Sequence, residues 1–348
     1  MYTSFRIKNF RCFEDLELKD LARVNLIAGK NNVGKTAVLE ALWWNCEPHM
    51  LLRRMEAFAK LRGMDLQLEQ PASGLLPSVT VDPVWLSLFH RFDPSNEISL
   101  STEMGGPSRS IVVRAGGTGN GGIRVFWVRD KPSIEIEVGR IADRGGGSSS
   151  TLDFDGTTRQ SVFLDSRTRL SPQEEAIIAG SLVKTGRYGT MLSALQILEP
   201  RLRTVTTLPE GGQTILYGDI GTARLLPLRL MGDGMVRLTT MMLTVASIPA
   251  GVLLIDEVEN GIHHSVLQRV WKAIADAARQ FDVQVFATTH SYECIAAAHQ
   301  AFSRHAEEGK EYDFRLHRLE EADGKIVAVT YGQNAIEAAL NIGLEVRS

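Results

Sequence analysis

At 348 residues and 44% hydrophobic content, the chain has room for a core domain with a sizeable insertion, or for two domains, and enough apolar residues to bury a core. A net charge of −3 provides no global basic footprint, so overall charge lends no support to nucleic-acid binding, although a local basic face stays open. Cys12, Cys46 and Cys294 are too few and too far apart for a disulfide framework or a zinc site; with no apolar signal core in Met1 to Arg6, and Ser247 and Pro249 interrupting the longest apolar run, Met241 to Ile255, the expectation is a cytoplasmic protein without a membrane anchor.

In chain order, Phe5, Ile7 and Phe10 are spaced by charged residues and Phe13 to Leu18 alternates again, which predicts two short edge strands before a third at Val24 to Ala28. That third strand runs into Gly29-Lys30-Asn31-Asn32-Val33-Gly34-Lys35-Thr36, a fit to the phosphate-binding pattern G-x-x-x-x-G-K-S/T at every fixed position. Thr36 to Leu42 reads as the first turns of a helix, completing the strand, loop, helix order the pattern needs. Gly29 and Gly34 let the loop turn tightly, so that the N–H groups of the loop, Asn31 and Asn32 included, converge with the positive helix end on nucleotide phosphates. Lys35 adds a positive charge, and the Thr36 hydroxyl is the expected magnesium ligand.

From Glu47 to Leu76 the spacing of Leu51, Met55, Phe58 and Leu61 predicts a second helix, closed by a turn between Pro71 and Pro77. From Ile98 to about Phe163, short alternating stretches at Ile98 to Leu100, Ile111 to Val113, Ile123 to Val128 and Ile134 to Val138 predict an antiparallel meander, with Gly145 to Ser150 a low-complexity tip. Pro172, with Ser171 as N-cap and Glu174 and Glu175 in the first turn, opens a helix, and Tyr188 to Leu202 reads as another. Strands are expected at Gln213 to Tyr217, Arg224 to Pro227, Val252 to Ile255, Val283 to Thr288, Phe314 to Leu319 and Ile326 to Thr330. Helices are expected at Gly234 to Ser247, Ser265 to Gln280 and Tyr292 to His305. This alternation predicts an α/β fold in which a largely parallel sheet incorporates the loop strand. The expected organisation is an N-terminal lobe over 1–48, an insertion over 49–210 and a C-terminal lobe over 211–348.

The run Gly251-Val252-Leu253-Leu254-Ile255-Asp256-Glu257 has the form of a buried central strand that delivers two carboxylates to the sheet edge. Beside a phosphate loop, Asp256 suits magnesium, commonly through a water, and Glu257, pointing the other way, suits polarising the attacking water. A strand followed by an acidic turn is the plainer alternative. Val285 to Ser291 is a second apolar strand that ends on His290, where an imidazole can hydrogen-bond the γ-phosphate or the lytic water. Asp153-Phe154-Asp155 before Gly156 reads as a hairpin turn rather than a metal site, and His263 and His264 as part of a loop rather than a metal pair.

The order of phosphate loop, long insertion, Met231-Gly232-Asp233-Gly234-Met235-Val236-Arg237, Leu254-Ile255-Asp256-Glu257, Glu259-Asn260-Gly261-Ile262-His263 and Thr288-Thr289-His290-Ser291 resembles the ATP-binding-cassette ATPases of the SMC, RecF and OLD type. It is most similar to stand-alone prokaryotic OLD-like ATPases of the AAA group, with a G-D-G-x-x-R signature. Ile7 to Phe13 and Phe314 to Leu319 resemble the first and last strands of that group. The resemblance implies a P-loop ATPase head, carrying the antiparallel meander and a helical insertion, that uses ATP and Mg2+. Two heads would sandwich two ATP molecules, the signature of one capping the γ-phosphate held by the other. By the same resemblance Gly232 and Gly234 offer backbone donors across the interface, and Arg237 supports the signature helix. Asn260 to His263 is then the loop between the two sites, Arg11 lies near the phosphates, and Gln67 is the candidate glutamine loop. Gly232 replaces the serine of the common cassette signature.

OLD-like chains often carry a TOPRIM nuclease after the ATPase, and from the few residues after the last cassette strand the expectation is that none is present here. The resemblance therefore implies a homodimer or higher oligomer, formed through the ATP sites, that acts as a sensor or switch for a separate effector such as a nuclease or toxin in anti-phage defence. The alternative is a RecF-like ATPase whose insertion clamps DNA, and the salt sensitivity of DNA binding discriminates between them.

Overall fold

The computed structural model describes residues 1–47, 50, 54, 57, 86–105, 109–115, 123–129, 134–138, 158–166, 168–309 and 311–341. Leu51, Met55, Phe58 and Leu61, on which the expected second helix rests, and Gln67, the Gly145 to Ser150 tip and Asp153-Phe154-Asp155 lie outside the described residues. The chain divides into two compact units: the first is Met1–Asp20, Asn32–Arg159 and Leu319–Val329, and the second is Leu21–Asn31, Gln160–Arg318 and Thr330–Ser348.

The first unit holds an antiparallel sheet. Its strands are β1 (Ser4–Phe10), β2 (Phe13–Leu18), β4 (Ile98–Glu103), β5 (Arg109–Ala115), β6 (Ile123–Arg129) and β7 (Ile134–Val138), in the order β2-β1-β4-β5-β6-β7. The expected meander is therefore present, and it continues the N-terminal hairpin. One expectation changes, because β1 pairs with β2 on one side and β4 on the other, and so is an interior strand. Alternation reports which face of a strand is buried, and it is blind to whether the strand's edge is covered by a segment distant in sequence. Ile7 lies opposite Leu16 on β2 and Leu100 on β4, and all three are buried. Helix α1 (Lys35–Cys46) is tied to this sheet by Asn45, whose Nδ2 donates to the Leu100 carbonyl at 2.8 Å, and by the Thr102 hydroxyl donating to Asn45 Oδ1 at 3.1 Å. Trp44 packs edge-on to Phe10 with ring centroids 5.2 Å apart.

The second unit is built on β3 (Val24–Gly29), all six residues of which are buried. With β8 (Ser161–Leu164), β12 (Val252–Ile255) and β13 (Gln284–Thr288) it forms a parallel array, β3-β13-β12-β8; β14 (Phe314–Ala322) and β15 (Lys325–Tyr331) follow β3 in the strand order, their Leu319–Val329 stretch being counted with the first unit. The expected parallel sheet is thus observed. Ser161 to Leu164, read with the meander, is instead the parallel edge strand beside β12, because a four-residue run carries too little periodicity to show its direction.

Helix α2 (Pro172–Lys184) begins with the reciprocal cap its sequence announces. Ser171 Oγ accepts from the Glu174 amide at 3.2 Å, and Glu174 Oε2 accepts from the Ser171 amide at 2.8 Å. Helix α3 (Tyr188–Leu195) stops seven residues short of the expected Leu202, since Pro200 disfavours helical geometry just before it and the chain breaks into turns. The strand β9 (Thr204–Glu210) was not foreseen. It pairs antiparallel with β10 (Gln213–Asp219), which pairs with the short β11 (Leu226–Pro227). Its Pro209 obscured it, and proline is tolerated there because β9 is an edge strand.

Helices α4 (Asp233–Ser247), α5 (Leu267–Gln280) and α6 (Tyr292–Glu307) supply most of the apolar cover of the parallel strands. On α5, Leu267, Val270, Trp271, Ile274 and Ala278 follow helical spacing and are all buried. Trp271 meets Phe314 edge-on at 6.3 Å, and Phe302 of α6 stacks on Phe314 at 4.9 Å. A last helix, α7 (Gln333–Asn341), was also not foreseen; it buries Ile336 and Ala339. Among the described residues no helix is long and apolar enough to cross a membrane.

Because Trp271 is 1% exposed and packs against the Phe314 ring, Trp271→Ala should destabilise the protein by about 3–5 kcal/mol. Urea denaturation followed by far-ultraviolet circular dichroism checks this, and a midpoint unchanged from wild type would contradict the packing described.

Candidate nucleotide site

Parallel pairing aligns the carboxyl ends of three strands in the second unit. Ile27 is in register with Thr288, and Ile255 with Ala287, so Gly29, Asp256 and the Thr288 to Ser291 segment all leave the same edge of the sheet. Ligands of open α/β sheets bind at this edge.

The phosphate loop starts from that edge, and its Gly29 to Asn31 belong to the second unit, whereas Asn32 to Thr36 belong to the first. Asn31 and Asn32 are exposed, and Asn32 is left-handed at φ 64°. Gly34, also left-handed at φ 96°, is the N-cap of α1 and provides no side-chain cap to the helix. A Cβ at Gly34 would lie 2.5 Å from Cys12 Sγ and 2.6 Å from Phe13 Cζ, so both backbone and space require glycine there. Lys35 and Thr36 follow, half-buried, in the first turn of α1.

Arg11, expected near the phosphates, donates from Nη2 to Glu40 Oε1 at 2.6 Å. Glu40 lies one turn beyond Thr36 on α1, and its side chain is fully buried, against 13% exposure for Arg11. The sequence reading assigned Glu40 no role. Its signal was being the only charged residue after Lys35 in an otherwise apolar or small helix.

At the acidic end of the second unit, the Thr288 hydroxyl donates to Asp256 Oδ1 at 2.5 Å and accepts from the Glu257 amide at 2.9 Å. Glu257 is left-handed at φ 48°, so the chain turns sharply as soon as the strand ends. The Asp256 amide donates to the Leu164 carbonyl at 2.8 Å, continuing the β8 pairing. Arg237 of α4, 1% exposed, donates to the carbonyl of Asp165 and, from Nη2 at 2.9 Å, to that of Asp256. Burial, helped by the nearby charge of Arg169, brings the Arg237 guanidinium down to about 10, still cationic at neutral pH. Arg237 therefore ties together the ends of β8 and β12.

His290 is half-exposed beside Glu259, with Nδ1 3.4 Å from Glu259 Oε1. That oxygen also accepts from the Thr289 hydroxyl at 2.8 Å and from the His290 amide at 3.2 Å. Burial, with the Glu259 charge adding to it, pushes the neighbouring Cys294 thiol up to about 12.

Gly232, exposed and at φ 104°, is the N-cap of α4 and provides no side-chain cap. That φ is closed to other L-residues, which accounts for glycine where the common signature has serine. Gly234 stands against the Asn260 to His263 loop, where an added Cβ would come within 2.8 Å of the Gly261 carbonyl oxygen. His263 Nδ1 is bonded locally to Ser265 Oγ at 2.9 Å, and among the described residues no group of three or more His, Cys, Asp or Glu side chains could hold a metal.

The carboxylate of Asp256, aimed by Thr288, and the hydroxyl type of Thr36 are hard oxygen donors that suit Mg2+.

Residues 1–49 match the family described as "AAA ATPase domain", and residues 164–296 match "AAA domain, putative AbiEii toxin, Type IV TA system". A Helicobacter pylori protein named "ATP/GTP phosphatase" is 24% identical over an alignment of 389 residues that covers 96% of each chain. An SMC head crystallised with the C-winged helix domain of ScpA superposes with a TM-score of 0.52 at 14% identity, covering 98% of this chain and 99% of the other. A second SMC head, with an extended coiled coil and bound to the C-terminal domain of ScpA derived from Pyrococcus furiosus, gives 0.51 at 12% identity, over 100% and 99% of the two chains. The chain is an ATPase. Its fold is that of the P-loop SMC heads, so the expected fold class holds. The two family matches take in the phosphate loop at one end and the signature helix, Asp256, Glu257 and His290 at the other.

Removing Arg11 from this ATPase takes a 2.6 Å ion pair away from the fully buried Glu40 carboxylate. Arg11→Ala should cost about 3–5 kcal/mol, and adding Glu40→Gln should recover most of that loss. Thermal unfolding of the two variants beside the wild type measures both, and a single variant as stable as wild type would show that the pair is not a structural anchor.

Proposed function

We propose that this ATPase closes head to head on Mg-ATP and that closure switches a separate effector, a nuclease or toxin, in prokaryotic anti-phage defence. The observation that carries the closure is the start of α4, where exposed Gly232 and Asp233 open a helix whose N-terminal amides receive no side-chain cap. Such an end attracts phosphate, and α1 begins in the same uncapped way at Gly34. In this reading one protomer's Gly232 and Gly234 address the γ-phosphate held by the partner's phosphate loop. The defence setting rests on the toxin–antitoxin description of the family matching residues 164–296 and on the resemblance to OLD-like ATPases.

In the proposed cycle, backbone N–H groups of Gly29 to Gly34 and the Lys35 ammonium bind the β- and γ-phosphates. Arg11, braced by Glu40, adds positive charge near them. Thr36 and Asp256 would hold Mg2+, which neutralises phosphate charge when bound. Glu257 accepts the proton of the attacking water, and His290 orients that water or the γ-phosphate. Nucleotide bridging two protomers couples assembly to ATP, and hydrolysis releases it.

Glu257→Gln removes the proposed base while preserving shape, so it should trap ATP and double the molar mass measured by light scattering, only when Mg-ATP is present. A monomer under all conditions would overturn the head-to-head reading; a constant higher oligomer would overturn ATP-driven closure. ATP-strengthened, salt-sensitive binding to DNA in the same preparation would favour the RecF-like alternative instead.

A further inference from the structure

We propose that Glu259 is a positioning residue that fixes the tautomer and orientation of His290. The inference rests on the reading that His290 serves hydrolysis, and it decides which of its two available roles the ring plays.

The hydrogen-bond directions in this cluster are determined by chemistry. The Ser291 amide can only donate, and it does so to Thr289 Oγ1 at 3.0 Å. The Thr289 hydroxyl keeps one hydrogen to give, and gives it to Glu259 Oε1 at 2.8 Å. The His290 amide donates to the same oxygen at 3.2 Å. Two donors on consecutive residues thus hold this carboxylate oxygen, and the Glu259 side chain is only 12% exposed. His290 Nδ1 lies 3.4 Å from that oxygen.

An oxygen that already accepts two hydrogens presents itself to a third neighbour as an acceptor. The ring nitrogen facing it therefore carries the hydrogen, and a neutral imidazole protonated at Nδ1 has its lone pair at Nε2, the opposite nitrogen. The half-exposed edge of His290 consequently offers an acceptor. An acceptor suits the hydrogen of an attacking water and repels a phosphate oxygen, so Glu259 makes His290 a water-orienting group that works beside Glu257. Glu259 touches neither water nor phosphate in this scheme and acts only through the ring.

The test uses the nucleotide-free full-length protein with 15N-labelled histidine, in alkaline buffer where imidazoles are neutral. Nitrogen–proton correlation spectra report which ring nitrogen carries hydrogen, and the signal lost in His290→Gln identifies His290 among the eight histidines. The wild type should show the Nδ1–H form. Glu259→Ala should convert it to the Nε2–H form that free imidazole prefers, while Glu259→Gln, whose amide oxygen accepts from the same place, should keep Nδ1–H. Glu259→Asp withdraws the oxygen by one methylene and should also lose the Nδ1–H form, which keeps the inference testable if the alanine variant fails to fold.

In steady-state turnover Glu259→Ala should lower kcat on the order of 10- to 100-fold with KM for ATP nearly unchanged, and Glu259→Gln should recover about tenfold of that. A merely structural Glu259 would leave the tautomer alone. A wild-type ring in the Nε2–H form, or one unchanged in both the alanine and aspartate variants, overturns the proposal. Full turnover in His290→Gln would instead overturn the catalytic reading of His290 while the effect of Glu259 on the tautomer still stood, so the two failures are distinguishable.

Discussion

One hydroxyl, that of Thr288, governs the acidic end of the second unit. By donating to Asp256 Oδ1 and accepting from the Glu257 amide, it fixes a side chain of one acid and the backbone of the other in a single step. This is possible only because β12 and β13 are parallel and in register, with Ile255 opposite Ala287, so that residues just past both strand ends meet. The turn that follows forces Glu257 into a left-handed backbone, a conformation of the kind found at functional sites. Arg237 secures the same region from the other side through two backbone carbonyls, so the geometry of the acids depends on α4 as well as on the sheet.

In the first unit the equivalent constraint is electrostatic. Glu40 is fully buried on the helix that begins with Lys35, and a buried carboxylate needs a cation. Arg11, just past β1, meets that need. Arg11 is thus a structural strut, and the phosphate role proposed for it is compatible with that, since a braced guanidinium is already oriented when a phosphate arrives.

The phosphate loop, the parallel strands and their terminal acids were legible because each rests on local pattern, and local pattern survives in a single sequence. The capping box at Ser171 was legible for the same reason. The interior position of β1, the parallel pairing of Ser161 to Leu164 and the proline-bearing β9 were not, because each depends on partners far along the chain. Thr288, Glu40 and Glu259 carry no motif of their own. Their importance comes from what folding places beside them, which for Glu259 is a histidine thirty-one residues away. Gly232 was legible as a departure from the serine of the common signature, and only its backbone angle supplies the reason.

Cys12 sits against Gly34, close enough that a single added carbon on the glycine would collide with its sulfur. Burial raises the Cys12 thiol above its ordinary range and outweighs the opposing pull of Arg11. The sulfur therefore stays protonated at neutral pH, and protonation has two effects on the loop beside it. A neutral thiol places no negative charge against an incoming polyphosphate, and it is a poor target for peroxide, which attacks thiolates. Partial burial thus gives the phosphate loop a redox-quiet neighbour, although a cysteine at that position would otherwise be a point of oxidative damage.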